Sequence, residues 1–318
     1  MPSANLGSGH QTTTTAANFI PELWSDEVIA GYKKNLVVGN LVSKIAHKGK
    51  KGDTIHIPTP TRGTATAKAA NTAVSVQDDI HSKVDLSIDK HYEYSVLIED
   101  ITEVQALNSL RRFYTDDAGY ALATQVDTDL FTLTEALQSG TVGGSGANSW
   151  ETAYTINSAG TGIELYTGNA SNARDLTDGA IRALILKLDN ADVPMDNRSM
   201  IIPPICANDL LGINRFTEQQ YIGSGDAIRT GKIGMIYGID VFISSNCPTA
   251  SLSTAPYNTD RVGVLMHKDA LALVEQMSVR SQTQYKQEYL GDLFTSDTIY
   301  GVGELRDDAG LAFVVPAS

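Results

Sequence analysis

The reading of this chain turns on residues 52–74, GDTIHIPTPTRGTATAKAANTAV. Thr54, Ile55, His56 and Ile57 make a β-prone run, after which proline, glycine, threonine and alanine follow with almost nothing to bury. The return limb is better patterned: Val84, Leu86, Ile88, Tyr92 and Tyr94 share one face of an alternating strand, interrupted by Lys90. Residues 52–94 are therefore expected to form a long two-stranded arm, each limb of about 17 residues reaching roughly 55 Å at 3.3 Å per residue. Such a ribbon is marginal alone in water, and its open edges and apolar face would invite aggregation in a soluble monomer. A neighbouring copy of the chain is the natural cover.

Working outward, residues 1–17 are rich in Ser, Thr, Ala and Gly and read as a mobile arm. In the stretch that follows, Pro21 suits a first helical turn, and Trp24, Val28, Ile29 and Tyr32 recur at helical spacing. On the other side of the ribbon the period changes. Ile101, Val104, Leu107, Leu110, Tyr114, Ala118, Leu122, Leu130, Leu133 and Leu137 keep mostly to three- and four-residue steps, which predicts one helix over 99–138 of roughly 60 Å at 1.5 Å per residue. Gly119 is the expected place for a break. Residues 139–171 read as a Gly/Ser-rich surface insertion. Asn172 or Asp175 is the expected cap of the next helix, which Pro194 ends. A strand (SMIIPP), a short helix (CANDLLGI), a loop around 223–231 and a strand (GIDVFIS) come next, and from Val262 strands dominate, with one helical patch. The fold class is α+β.

At 318 residues and 42% hydrophobic content the chain has the composition of a globular protein. No window approaches the roughly 18 apolar residues of a membrane span, and the N-terminus lacks the layout of a signal peptide, so the expectation is a cytoplasmically made protein without a membrane partner. The net charge of −13 is uneven: residues 1–98 hold 10 Lys/Arg against 9 Asp/Glu, and residues 99–318 hold 14 against 28. That balance does not advertise the basic face that duplex binding requires. The single basic cluster, Lys44, His47, Lys48, Lys50 and Lys51, reads as a solvated turn. Cys206 and Cys247 lack a CxxC pattern and read as buried thiols.

Candidate chemistry is thin. In GSGDAIRTGK (223–232) five residues separate Gly225 from Gly231 where a phosphate loop has four, and Ile233 stands where Ser or Thr should hold magnesium. The histidines at 10, 47, 56, 81, 91 and 267 include no ligand-spaced couple. Gly144-Ser145-Gly146 lies in the insertion, and the adjacent pairs Asp116-Asp117 and Asp307-Asp308 point to different sides of any regular element. The expectation is therefore a non-enzyme with no catalytic residue, cofactor or metal.

The order of pieces resembles the major capsid proteins of tailed bacteriophages with the Hong Kong 97 fold. The local matches are FIPELWSDEVIAGYKKNLV, KGDTIHIPTP, HYEYSVLIEDI with the helix after it, and GKIGMIYGIDVFISSNCP, which look like podovirus-type coat proteins. The resemblance covers the chain from Asn18 onward, apart from the insertion. It implies an N-terminal arm over 1–45, an extended loop over 46–97, the spine helix of a peripheral domain over 98–138, a mostly axial domain over 172–261 and a return to the peripheral domain over 262–318. It implies a structural subunit of an icosahedral head shell enclosing phage DNA, assembled in the bacterial host cytoplasm. Implied partners are further copies in hexamers and pentamers, a separate scaffolding protein, a portal protein and, as an optional addition, a cement protein, with packaged DNA touched only non-specifically. The expected contacts between subunits are Trp24, Ile55, Ile57, Arg62, Val84, Leu86, Ile88, Tyr92 and Tyr94. Two other readings stand beside this one. A β-rich tail or adhesin component would form small oligomers or fibres, and an enzyme with a non-standard site would show turnover as a monomer.

Overall fold

The structure, a computed structural model, describes residues 37–46, 52–60, 63, 65–74, 81–105, 110–137, 150, 153–166, 173–213, 234–250 and 260–316. The chain enters through α1 (Val38–Leu41) and β1 (Ser43–Ala46), then makes β2 (Thr54–Pro60), β3 (His81–Ser87) and β4 (Lys90–Glu99). Helices α2 (Asp100–Gln105) and α3 (Leu110–Leu133) lead to β5 (Tyr154–Ile156) and β6 (Ile163–Leu165). There follow α4 (Asp178–Asn190), β7 (Arg198–Ile202), α5 (Pro204–Leu211), β8 (Met235–Ile236) and β9 (Ile239–Ile243). The last strands are β10 (Arg261–His267), β11 (Leu271–Lys286), β12 (Gly291–Glu304) and β13 (Gly310–Val315).

Among the described residues these strands form a four-stranded sheet in the order β1-β11-β12-β4, a seven-stranded sheet in the order β6-β5-β13-β10-β7-β9-β8, and the separate ribbon β2-β3. Short turns carry β10 into β11 and β12 into β13, so the two large sheets exchange strands at one place. One apolar core serves both. It joins Leu130 and Phe131 of α3, Ile181, Leu184 and Leu188 of α4, Met200 to Ile202 of β7, and Leu271, Leu273 and Tyr300 of the smaller sheet.

The local reasons are readable. In α4 the apolar residues fall on one face, Thr177 accepts a hydrogen bond from the Ala180 amide at 3.2 Å, and Asp178 and Lys187 sit at the ends that the helix dipole favours. Strand β7 is buried along its whole length, as a central strand with a parallel neighbour should be. Its Arg198 is buried yet satisfied, donating to the carbonyls of Val193 and Pro194 at 2.6 and 2.8 Å and pairing with Asp189 at 2.7 Å. Helix α3, 24 residues and about 36 Å long, lies on the smaller sheet. Tyr300 donates to Asp129 of α3 at 2.8 Å, Lys90 reaches the same carboxylate at 3.4 Å, and Tyr94 donates to Asp117 at 3.1 Å.

Four expectations need correction. The helix expected over 99–138 is helical wherever it is described up to Leu133, as α2 and α3 with residues 106–109 outside the described residues, but it gives way to tight turns at 134–137, where Thr134 donates to the Phe131 carbonyl. Gly119 does not break α3: a side chain there would point into open space, so the glycine costs propensity without disturbing packing. Thr177 caps α4 in place of Asn172 or Asp175, because its hydroxyl is the one that reaches a first-turn amide. Residues 153–166 of the supposed surface insertion belong to the body. Phe313 of β13 pairs with Tyr154, Thr155 donates to the Val314 carbonyl, and Tyr166 is fully buried with Trp150, Val262 and Val314. Strands β10 and β13 lie in the seven-stranded sheet with β7, so the chain after Val262 serves both sheets. The loop around 223–231 lies outside the described residues.

Both cysteines are free and buried. Burial pushes the Cys206 thiol far up and Cys247 up to about 12, so native thiolate is scarce at neutral pH. At pH 8 a disulfide reagent should label neither in the folded chain, at least about a hundredfold slower than in denaturant; rapid native labelling would contradict this packing. Deleting 153–166 should remove an edge of the seven-stranded sheet and leave insoluble protein, whereas deleting 139–149 should leave a cooperative thermal transition. Equal solubility of the two variants would return 153–166 to the surface.

Candidate functional site

The site begins with small residues. Ala272 pairs with Gly303 and Val274 with Gly301 across β11 and β12, and Ile45 of β1 pairs with Val274 on the other side. A side chain at Gly303 would meet Leu86 Cδ2 at 2.1 Å, and one at Gly301 would meet the Ser87 carbonyl at 2.2 Å. The two glycines thus make a platform onto which β3 can lie at backbone distance. Leu86 and Ile88 pack there with Ala272 and Val274, and both are buried, Leu86 to 2% exposure. The Ile88 amide donates to the Asp53 carbonyl at 2.7 Å, which closes the base of the ribbon.

From this seat the ribbon runs outward. Ile55 pairs with Leu86 and Ile57 with Val84, so Ile55, Ile57 and Val84 line the same face and are half-buried. The opposite face is wet. His56 contacts Asp85 at 2.5 Å and Lys83 reaches the other Asp85 oxygen at 3.0 Å, and these two, His56 first, hold that carboxyl below the usual range. Beyond the last pair, Pro60 with His81, residues 65–74 are all exposed, Val74 to 71%. The ribbon is fixed at its root, and the described residues beyond its last pair are exposed.

The expected contact residues therefore separate. Leu86 and Ile88 are covered by their own chain. Tyr92 stacks on Tyr300, ring centroids 5.9 Å apart, and Tyr94 is held by Asp117, so both face the chain's own long helix. The return limb is two strands: β3 ends at Ser87 and β4 begins at Lys90 in a different sheet, because Ile88 and Asp89 carry the chain from ribbon to body. Ile55, Ile57 and Val84 remain partly open. Trp24 and Arg62 lie outside the described residues, as do His47, Lys48, Lys50 and Lys51.

A second apolar surface was missed by sequence reading. At the far end of the four-stranded sheet Tyr289 and Leu290 are 62% and 66% exposed, with Ile101, Leu97 and Tyr285 beside them. The Leu290 carbonyl accepts from the Asp100 amide, and Leu290 holds φ at 45°, a left-handed conformation that leucine rarely adopts. Only the run Glu288-Tyr289-Leu290-Gly291, two large apolar residues at a hairpin turn, could have signalled it. Among the described residues no three His, Cys, Asp or Glu side chains stand where they could share a metal ion, and no helix is long and apolar enough to cross a membrane.

Comparison with known proteins places this architecture. A structure from Mycobacterium phage Che8 is 24% identical, with a TM-score of 0.72 over 93% of this chain and 97% of that one. The capsid structure of cyanophage P-SCSP1u is 18% identical, with a TM-score of 0.72 over 100% and 99% of the two chains. The mature capsid of bacteriophage PhiM1 is 15% identical, with a TM-score of 0.66 over 93% and 92%. No curated protein matches the chain. The structural likenesses carry the Hong Kong 97-like fold, and the model of the phage capsid protein family matches residues 94–312. An arm anchored in a two-sheet body, a long helix on one of those sheets and this family match lead to one conclusion: the chain belongs to the phage capsid protein family, and is a structural major capsid protein whose copies build the head shell of a tailed phage.

Proposed function

We propose that residues 61–80 clasp a neighbouring subunit in the shell, with Arg62, the open faces of Ile55, Ile57 and Val84, and Trp24 of the N-terminal arm as the contacts. One observation carries this reading: the ribbon is buried at its root and exposed along its described tip, where none of the described residues of its own chain covers it. Ala, Thr and Gly at the tip permit close backbone approach to a partner, while Pro58 and Pro60 withhold donors from wrong edge pairing. Exposed Tyr289 and Leu290 extend the contact surface to the far end of the smaller sheet.

In this assignment residues 1–45 are the N-terminal arm, 46–89 the extended loop, α3 the spine helix, the four-stranded sheet the peripheral unit, and α4 with β7 to β9 the axial unit around hexamer and pentamer axes. The chain's role is non-enzymatic. Assembly proceeds in the host cytoplasm with a separate scaffolding protein and a portal protein, with a cement protein as an optional addition. The net charge of −13 supports contact with packaged DNA that is only non-specific. These partner assignments fall if subunits alone close into uniform shells, or if they bind duplex DNA tightly at physiological salt.

Pro60 and His81 are a register pair, so an Asn-Gly turn in place of 61–80 closes the hairpin without moving its root. The truncated subunit should unfold within about 2 °C of the full chain, a difference below roughly 1 kcal/mol. Shell yield in sedimentation should fall to background, because closed symmetry repeats the loss at every interface. Normal shells from that variant would show that the tip is not a clasp.

A further inference from the structure

A groove of about 540 Å³ runs beside α3, and nothing in the shell role described above uses it. Its floor is one face of the helix, Gly119, Leu122, Ala123 and Val126, at the spacing of three and four residues that shares a face. Its far wall includes Val279, which lies within the second register shift of β11, between Met277 and Arg280, where that strand carries an extra residue relative to β12. Gly119 and Ala123 leave the floor low, and a side chain built at Gly119 would meet nothing within 4 Å. Gly39 of α1 forms part of the rim, so the chain enters the described body at the edge of the groove.

We propose that in the unassembled subunit this groove is occupied by the chain's own N-terminal segment, residues 19–32, with Trp24 and Val28 as its anchors. Trp24, Val28, Ile29 and Tyr32 give that segment an apolar face at helical spacing, and the groove floor is the apolar face that matches it. The tether decides between the chain's own segment and a neighbour's. Lys33 to Leu36 span at most about 14 Å when extended, which keeps residues 19–32 at the groove with an effective concentration in the millimolar range. Free subunits at micromolar concentration cannot compete with that. Trp24 can then reach a neighbour only after it leaves its own groove, so the docked segment holds back premature assembly. The inference concerns the subunit before assembly and does not depend on the clasp role of the ribbon tip.

The test uses the full chain as unassembled subunits with 5-fluorotryptophan incorporated, so that Trp24 and Trp150 give separate ¹⁹F signals, assigned by Trp24→Phe. The Trp24 signal should show a solvent-isotope shift less than about half that of a free peptide of residues 16–36, unchanged from low to high micromolar subunit. Gly119→Leu, which fills the groove from its floor, should restore the peptide's value while the Trp150 signal stays where it was. Ala123→Leu on the same exposed face repeats the test should Gly119→Leu fail to fold. A fully exposed Trp24 in the parent chain overturns the proposal, as does shielding that both groove substitutions leave untouched. Shielding that appears only as subunit concentration rises assigns the groove to a neighbour's arm and equally overturns it.

Discussion

Leu86 resting over Gly303 is the contact on which the rest of the subunit depends. Two glycines on alternate positions of β12, opposite Ala272 and Val274, remove the side chains that would hold another strand away. The ribbon therefore leaves the body from a backbone-to-backbone seat with a fixed direction, and burial of Leu86 and Ile88 there is worth roughly 2–3 kcal/mol each. A side chain at either glycine would lift the root and swing a tip many residues away. Fixing the root inside the subunit lets residues 65–74 stay exposed without unfolding the ribbon.

The same economy governs the body. Tyr300, one residue from Gly301 on β12, points to the opposite face and ties the sheet to α3 through Asp129, while Tyr92 stacks on it. One strand thus receives the ribbon on one face and the long helix on the other. Because β10 to β13 pass between the two large sheets at a single place, the seat of the ribbon root on β12 has a short covalent path into the shared core.

Much of this was legible in the residues, and the parts that were not share a cause. Alternation in 54–60 and 84–88 marked the ribbon, and three- and four-residue steps marked α3, because one-face burial leaves a period in the sequence. The break at Ile88 and Asp89 left none: Leu86, Ile88, Tyr92 and Tyr94 keep one alternation, although the first two face β12 and the last two face α3. Gly119 read as a break because propensity argues against glycine in a helix, and the neighbouring α3 contacts override it. Strands β5 and β6 were hidden in Gly/Ser-rich sequence, where Trp150, Tyr154, Ile156 and Tyr166 supply burial without a continuous pattern. The glycine platform is a tertiary fact, visible only once β3 is laid on β12.

Amide hydrogen exchange of β3 and of residues 65–74, in free subunits and in assembled shells, tests the central claim most directly. An anchored root and a clasping tip require that the β3 amides paired to β2 are protected in both states, while the amides of 65–74 exchange freely in the subunit and become protected by at least about a hundredfold in the shell. Equal exchange of 65–74 in the two states, or an unprotected β3 in the free subunit, would contradict the account.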